Sequence, residues 1–502
     1  MSDRSDEPSR ESKKDDKDEK DKDKRDKDKK KVKRPKERTK SSRHEVTIGD
    51  EKIEYTATAG TLFLKKPDGE PRASVFYVAY QKHGVKDPAR RPITFAFNGG
   101  PGSSAVWLHL GTLGPRRADA TDAGPSRSDV RLIDNPDSIL DVTDLVFIDP
   151  VGTGYSKPLG DSKVNEFTSV EDDAKAVGEF IRRFTSRTNR WASPRFVAGE
   201  SYGTTRAAAL TAHLAQEGVM VDGAVLISAA LMFQTFIFEV GNDLPYVLYL
   251  PGYAATAAYH KALPRPVEDV GAFLRDVERF ALDEYGPALA RGSSLPEARR
   301  QEIATRLHEL TGVASKVWLE RDLRIELPTF CRELLRDRGV IVGRLDSRFT
   351  GLASRPDDDP HNDDPALFYP YGPYTSLMHD YLQRELAYEE EEPYNIFNFK
   401  VNESWKWNEE KGPRMGYVNA AVDLRRAMVQ NPHLRVFFAN GIYDLATPYF
   451  ASMHTARHLG REASIRDQIS EAFYDAGHMM YLHEASRRKL REDLVRFYTS
   501  TR

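Results

Sequence analysis

The chain has 502 residues, 39% hydrophobic and 30% charged, with a formal net charge of −3 at pH 7. That length is too great for one simple core, so two globular parts or a core with a large insertion are expected. No run of about 18 apolar residues could span a membrane, no apolar segment follows the first charges as a secretory signal would, and the single cysteine, Cys331, excludes an intramolecular disulfide framework. A soluble, cytoplasmic protein follows, with Cys331 a packed thiol between Phe330 and Leu334.

Residues 1–43 carry 19 Lys and Arg against 13 Asp and Glu, and Val32 is their only aliphatic residue after Met1. Such a segment cannot bury enough apolar surface to offset its ordering entropy, so it reads as a disordered charged tail. The Lys27 to Lys40 stretch could touch an anionic surface, but the acids interleaved before it favour a solvated tail, and no nucleic-acid or membrane partner is expected.

Order is expected from near His44. Ser74–Tyr80, Pro92–Phe97 and Asp144–Asp149 are short apolar runs bounded by turn residues and read as buried strands. Val170 to Thr185 sets Val170, Ala174, Val177, Phe180, Ile181 and Phe184 on one helical face. The apolar run Arg195 to Ala198, a helix from Thr204 to Gln216 and a strand Gly223 to Ser228 follow. This alternation predicts an α/β fold with a mostly parallel central sheet flanked by helices. From 231 to 412 strand signals fade and charged helical stretches, Pro266 to Arg279 and Pro296 to Glu320, alternate with Pro- and Tyr-rich loops. The domain reading is therefore a tail (1–43), the first part of the core (44–230), an inserted, largely helical cap (231–412) and the second part of the core (413–502). That last part supplies a helix at Tyr417 to Gln430, strands at Leu434 to Ala439 and near Glu471 to Tyr474, and a closing helix at Glu484 to Tyr498.

The chemistry is concentrated on strand ends. Gly199-Glu200-Ser201-Tyr202-Gly203 sits between a strand and a helix, the setting in which G-x-S-x-G lifts a serine clear of the sheet as a nucleophile elbow. Asp444 follows one later strand and His478 another, giving the chain order Ser201, Asp444, His478 that α/β-hydrolases use. The imidazole must take the serine proton and return it to the leaving group, while the carboxylate fixes its tautomer. Upstream, Asn98-Gly99-Gly100-Pro101-Gly102-Ser103-Ser104 follows the Phe95 strand, where glycines let backbone N–H groups approach a substrate. The N–H of Tyr202 is the second expected oxyanion donor. The histidines at 478 and 483 lack the spacing of a helical zinc site. The acids Asp357-Asp358-Asp359 and Asp363-Asp364 lack that of an EF-hand loop, so neither metal nor cofactor is expected.

The glycine loop, the elbow, Asp444, Gly477-His478 and the segments Asn135-Pro136-Asp137-Ser138 and Asp149-Pro150-Val151-Gly152-Thr153-Gly154-Tyr155-Ser156 together resemble the serine carboxypeptidase family of α/β-hydrolases, in a bacterial type. The resemblance spans most of residues 73–230 and 415–485. It implies removal of C-terminal residues from peptides through an acyl-enzyme on Ser201, with His478 as base and Asp444 as orienting acid. It also implies that Gly100 and Tyr202 donate to the oxyanion, and that Asn98, Gly99 and a protonated Glu200 hold the substrate's terminal carboxylate. Three positions depart from the family pattern. Thr112 stands where secreted members often carry a second acid, Ala96 replaces a tryptophan, and Ser103 replaces a loop cysteine. An esterase or acyltransferase using the same triad is the alternative, because the fold supports many acyl chemistries.

Overall fold

The computed structural model of the protein describes residues 35–120, 122, 129–352, 363–407 and 416–500. Most of the charged tail and the acidic run Asp357-Asp358-Asp359 therefore lie outside the described residues. Ten strands form one sheet: β1 (Thr39–Ile48), β2 (Glu51–Lys65), β3 (Pro71–Lys82), β4 (Ile93–Phe97), β5 (Asp144–Ile148), β6 (Lys157–Pro158), β7 (Arg195–Glu200), β8 (Gly223–Ile227), β9 (Arg435–Gly441) and β10 (Ile469–Tyr474). Their spatial order is β1-β2-β3-β5-β4-β7-β8-β9-β10, with β6 beside the start of β3. The first four in this order are antiparallel, and every pairing from β5 to β10 is parallel.

A parallel sheet needs cover on both faces, and alternation along β4 shows how it is supplied. Phe95 and Phe97 face Val177, Phe180 and Ile181 of α1 (Val170–Arg187) and Ala207 and Leu210 of α2 (Tyr202–Gln216). Ala96, with Phe147, Phe196 and Phe437, faces the opposite core, which Leu490, Leu494 and Phe497 close from the C-terminal helix Glu484–Ser500. The Ser169 hydroxyl starts α1 by accepting the Asp172 N–H at 3.1 Å, and acids in the first turn suit the positive end of the helix.

Order starts earlier than His44. β1 begins at Thr39 and pairs along its whole length with β2, and the Ser41 and Thr58 hydroxyls meet at 2.8 Å across the pair. The boundary expected at residue 43 thus falls inside a strand, because cross-strand pairing orders polar residues that no local apolar pattern announces.

The described residues between 231 and 407 are mainly helical: α3 (Leu244–Tyr259), α4 (Val270–Phe280), α5 (Glu297–Thr311) and α6 (Pro365–Asp380) are the longer pieces. The single helix expected over 296–320 is broken. Gly312, at φ +73°, ends α5 in the left-handed conformation, and a short helix restarts at Ser315. Tyr253 stacks on Phe330 at 3.9 Å beside buried Cys331, and this core runs on into Leu445, Tyr449 and Phe450. No helix among the described residues is long and apolar enough to cross a membrane.

Candidate active site

Ser201 occupies the one-residue corner between β7 and α2, with φ 60° and ψ −129°, a conformation that side chains other than glycine rarely adopt. The corner is held from several sides. The Ser201 N–H donates to Ile227 O at 3.0 Å, and the Thr204 N–H and hydroxyl donate to Ser201 O at 2.8 and 2.7 Å. A Cβ on Gly199 would lie 2.1 Å from Gly203 O, and one on Gly203 would lie 2.9 Å from Phe97 O. Glycine is therefore required by the crossing of helix over strand, and the strained serine is over-determined by its surroundings.

Asp444 follows β9 and His478 follows β10, so neighbouring parallel strands deliver both to the same edge of the sheet as the elbow. Asp444 is completely buried. His478 Nδ1 donates to Asp444 Oδ2 at 2.7 Å, leaving Nε2 as the free face of the imidazole. The other carboxylate oxygen accepts the N–H groups of Ala446 and Thr447 at 2.8 and 2.9 Å, and the Thr447 hydroxyl donates to Oδ2 at 2.7 Å. The histidine backbone is pinned as well: its N–H donates to Leu345 O at 2.6 Å and its carbonyl accepts the Ser228 hydroxyl at 2.8 Å. Burial alone would lower its proton affinity. The charge and hydrogen bond of Asp444, aided by Glu200, outweigh burial and raise it.

The glycine loop lies directly on the elbow. A Cβ on Gly99 would sit 2.5 Å from the Tyr202 nitrogen, so Gly99 brings its backbone against the N–H at the start of α2, a donor that the helix itself leaves unsatisfied. Asn98 receives the Leu108 N–H on Oδ1 at 3.0 Å, and its side chain also hydrogen-bonds Glu200. Glu200 is buried beneath this loop and accepts the Tyr481 hydroxyl on Oε2 at 2.9 Å. Desolvation raises its pKa to about 7, against the opposing pull of His478, Tyr481 and Asn98.

Tyr481 was not legible as a site residue from sequence. Thr112 is buried in the π turn His109–Leu113, and its carbonyl receives Asn135 Nδ2 at 2.6 Å. The hydroxyl that reaches Glu200 comes instead from Tyr481, whose ring lies so close to Gly111 that a Cβ there would meet it at 2.4 Å. A second unforeseen group braces the elbow from behind. Arg206 of α2 donates through Nε to Asp173 Oδ2 at 2.7 Å and through Nη1 to Asn98 O at 2.5 Å, and the Tyr202 hydroxyl shares Asp173 at 3.1 Å. All are buried, and the guanidinium lies over the rings of Phe97 and Tyr202 at 5.3 and 5.2 Å. The Asp173 to Arg206 spacing crosses two helices and a strand, so no local motif reveals it.

Comparison with known proteins agrees with this geometry. Residues 53–223, about a third of the chain, match the serine carboxypeptidase family model. A serine carboxypeptidase-like protein of Arabidopsis thaliana, serine carboxypeptidase-like 36, is 27% identical over 154 residues, 30% of this chain and 29% of that protein, so the match spans less than a third of the relative's length. In three dimensions the chain is similar to Kex1Δp, a prohormone-processing carboxypeptidase from Saccharomyces cerevisiae, with a TM-score of 0.58 at 15% identity, covering 89% of this chain and 91% of that one. That likeness shows an α/β-hydrolase fold, and over residues 53–223, which hold the glycine loop and the elbow, the chain is similar to the serine carboxypeptidase family.

Proposed function

We propose that the protein is a serine-type carboxypeptidase that hydrolyses the C-terminal bond of a peptide through an acyl-enzyme on Ser201. His478 Nε2 takes the serine proton as the hydroxyl oxygen bonds to the scissile carbonyl carbon, and passes it to the leaving amine when the C–N bond breaks. Water then attacks the ester by the same route, and the second product leaves as a carboxylic acid. Asp444 holds the imidazole tautomer. The N–H groups of Gly100 and Tyr202 receive the oxyanion, each such donor being worth roughly 3 kcal/mol in the transition state. Asn98, Gly99 and Glu200 receive the substrate's terminal carboxylate.

The observation that carries the peptidase reading is the Glu200 carboxyl, buried beside the nucleophile and hydrogen-bonded by Asn98 and Tyr481. A carboxyl group can hold a carboxylate when one of the two carries a proton, and a pKa of about 7 keeps Glu200 protonated in mildly acidic solution and partly so at neutral pH. The test is cleavage of an N-blocked dipeptide, its C-terminal amide and a neutral aryl ester over roughly pH 4 to 8. The free-acid dipeptide should be preferred, and cleavage of the ester alone would replace this reading with that of an esterase.

The sign of the pH effect is fixed by which form works. His478 acts when neutral, so both reactions gain as pH rises through its raised pKa. Glu200 acts when protonated, so peptide cleavage alone is lost as pH rises through about 7. Glu200→Gln should remove that peptide-specific loss, while the rising limb that peptide and ester share through His478 moves to lower pH, because the Glu200 charge that helps raise His478 is gone. Tyr481→Phe, which deletes a hydrogen bond that lowers the Glu200 pKa, should move the loss to higher pH. Survival of the peptide-specific loss in Glu200→Gln, or its failure to move relative to the ester profile in Tyr481→Phe, would rule out carboxylate binding by Glu200.

A further inference from the structure

The loop from Gly343 to Phe349 belongs to the inserted region, yet it is bonded to His478 and to the residues on either side of Asp444. Arg344 O accepts the N–H of Leu445, next to Asp444, at 3.0 Å, and Leu345 O accepts the N–H of His478 itself. Arg344 is thereby fixed beside the site, partly exposed, with its Nε buried and unpartnered among the described residues. No ion pair joins it to a described carboxylate.

The described acids nearest it already hold other donors, and Asp364 feels the charge of Arg344 without an ion pair to it. Asp364 accepts the N–H groups of Arg344, Leu345 and Ala366. Asp346 holds Arg348 and the Gly477 N–H, and Asp444 holds His478 and Thr447. Arg344 is close enough for its charge to lower the proton affinity of His478. A guanidinium half withdrawn from water, with a buried donor unused, has a strong drive to take a planar anion.

We infer that Arg344 is a substrate-binding residue that receives a carboxylate of the peptide, in the first place the acidic side chain of a residue flanking the scissile bond. This rests on the carboxypeptidase reading for the identity of the ligand as a peptide. The side-chain source is favoured because Glu200 and Asn98 already mark a separate place for the terminal carboxylate. A specificity for acidic peptides would then be built into the inserted region rather than into the sheet.

Binding can be measured without turnover by calorimetric titration of the full-length Ser201→Ala protein. Two ligand pairs are compared: benzoyl-glutamic acid α-amide against benzoyl-glutamine amide, and benzoyl-alanine against benzoyl-alanine amide. In the first pair the acid should bind about tenfold more tightly, the scale of one charge-assisted hydrogen bond. Arg344→Gln should erase that ratio, and Arg344→Lys should keep part of it. Loss of the second ratio instead would keep the carboxylate site and assign it to the peptide terminus. Failure of Arg344→Gln to change either ratio, or of the parent protein to distinguish acid from amide in either pair, overturns the proposal. Because no bond is cleaved, failure of the peptidase reading shows separately, in the cleavage assay.

Discussion

Ser201→Ala is expected to lower kcat/KM for both peptide and ester by about 10⁴- to 10⁶-fold, the cost of removing the nucleophile when triad residues act as a unit. The expectation rests on the elbow geometry. The backbone at Ser201 is held at positive φ by hydrogen bonds from its own N–H and to its own carbonyl, and none of them uses the serine hydroxyl. Alanine therefore keeps the corner, and the thermal midpoint should stay within the small range of a surface change. Asp444 and His478 keep their bond at 2.7 Å, so the residual rate reflects the oxyanion donors and binding alone. A fluorophosphonate probe should label the parent protein and fail on the variant. Retained turnover, or retained labelling at an equal rate, would assign the nucleophile elsewhere.

What could be read in advance follows how local each constraint is. The elbow, the glycine loop and the strands beneath them are contiguous segments whose apolar runs are buried on both faces, and they were legible for that reason. β1 and β2 were not. Thr39 to Ile48 is an edge strand with an exposed, polar outer half, specified by register with β2 rather than by its own composition. The same distinction separates the site residues. Ser201, Asp444 and His478 each follow a recognisable strand, but Tyr481 reaches Glu200 only because a turn 281 residues along the chain packs on Gly111. Arg344 reaches the histidine loop through backbone bonds from a mainly helical stretch with almost no strand signal.

The least local of these constraints has the largest expected effect on stability. Arg206→Ala should destabilise the fold by about 3–5 kcal/mol, because it strips the partner from a buried carboxylate rather than removing an ion pair as a whole. Asp173 already has its pKa raised by desolvation, with the charge and hydrogen bond of Arg206 the chief opposing causes. Without Arg206 the folded-state pKa rises further, while the unfolded chain keeps its ordinary value. The folded state then binds a proton that the unfolded state releases, so the variant's deficit is small in acid and grows as pH rises above about 4. The shift in urea midpoint between parent and variant, measured at acidic and at neutral pH, reads this directly. The loop should feel the loss too, since Asn98 O surrenders a bond of 2.5 Å and the cation over Phe97 and Tyr202 disappears. Turnover of the neutral ester should fall along with that of the peptide, because Gly99 and Gly100 are positioned through Asn98. Asp173→Ala added to Arg206→Ala should recover part of the stability, as the uncompensated charge is gone, and should flatten the dependence on pH. A deficit that is the same at both pH values, or a double variant that loses the sum of two large single effects, would show that Asp173 and Arg206 stabilise the elbow through packing and not as a buried charge pair.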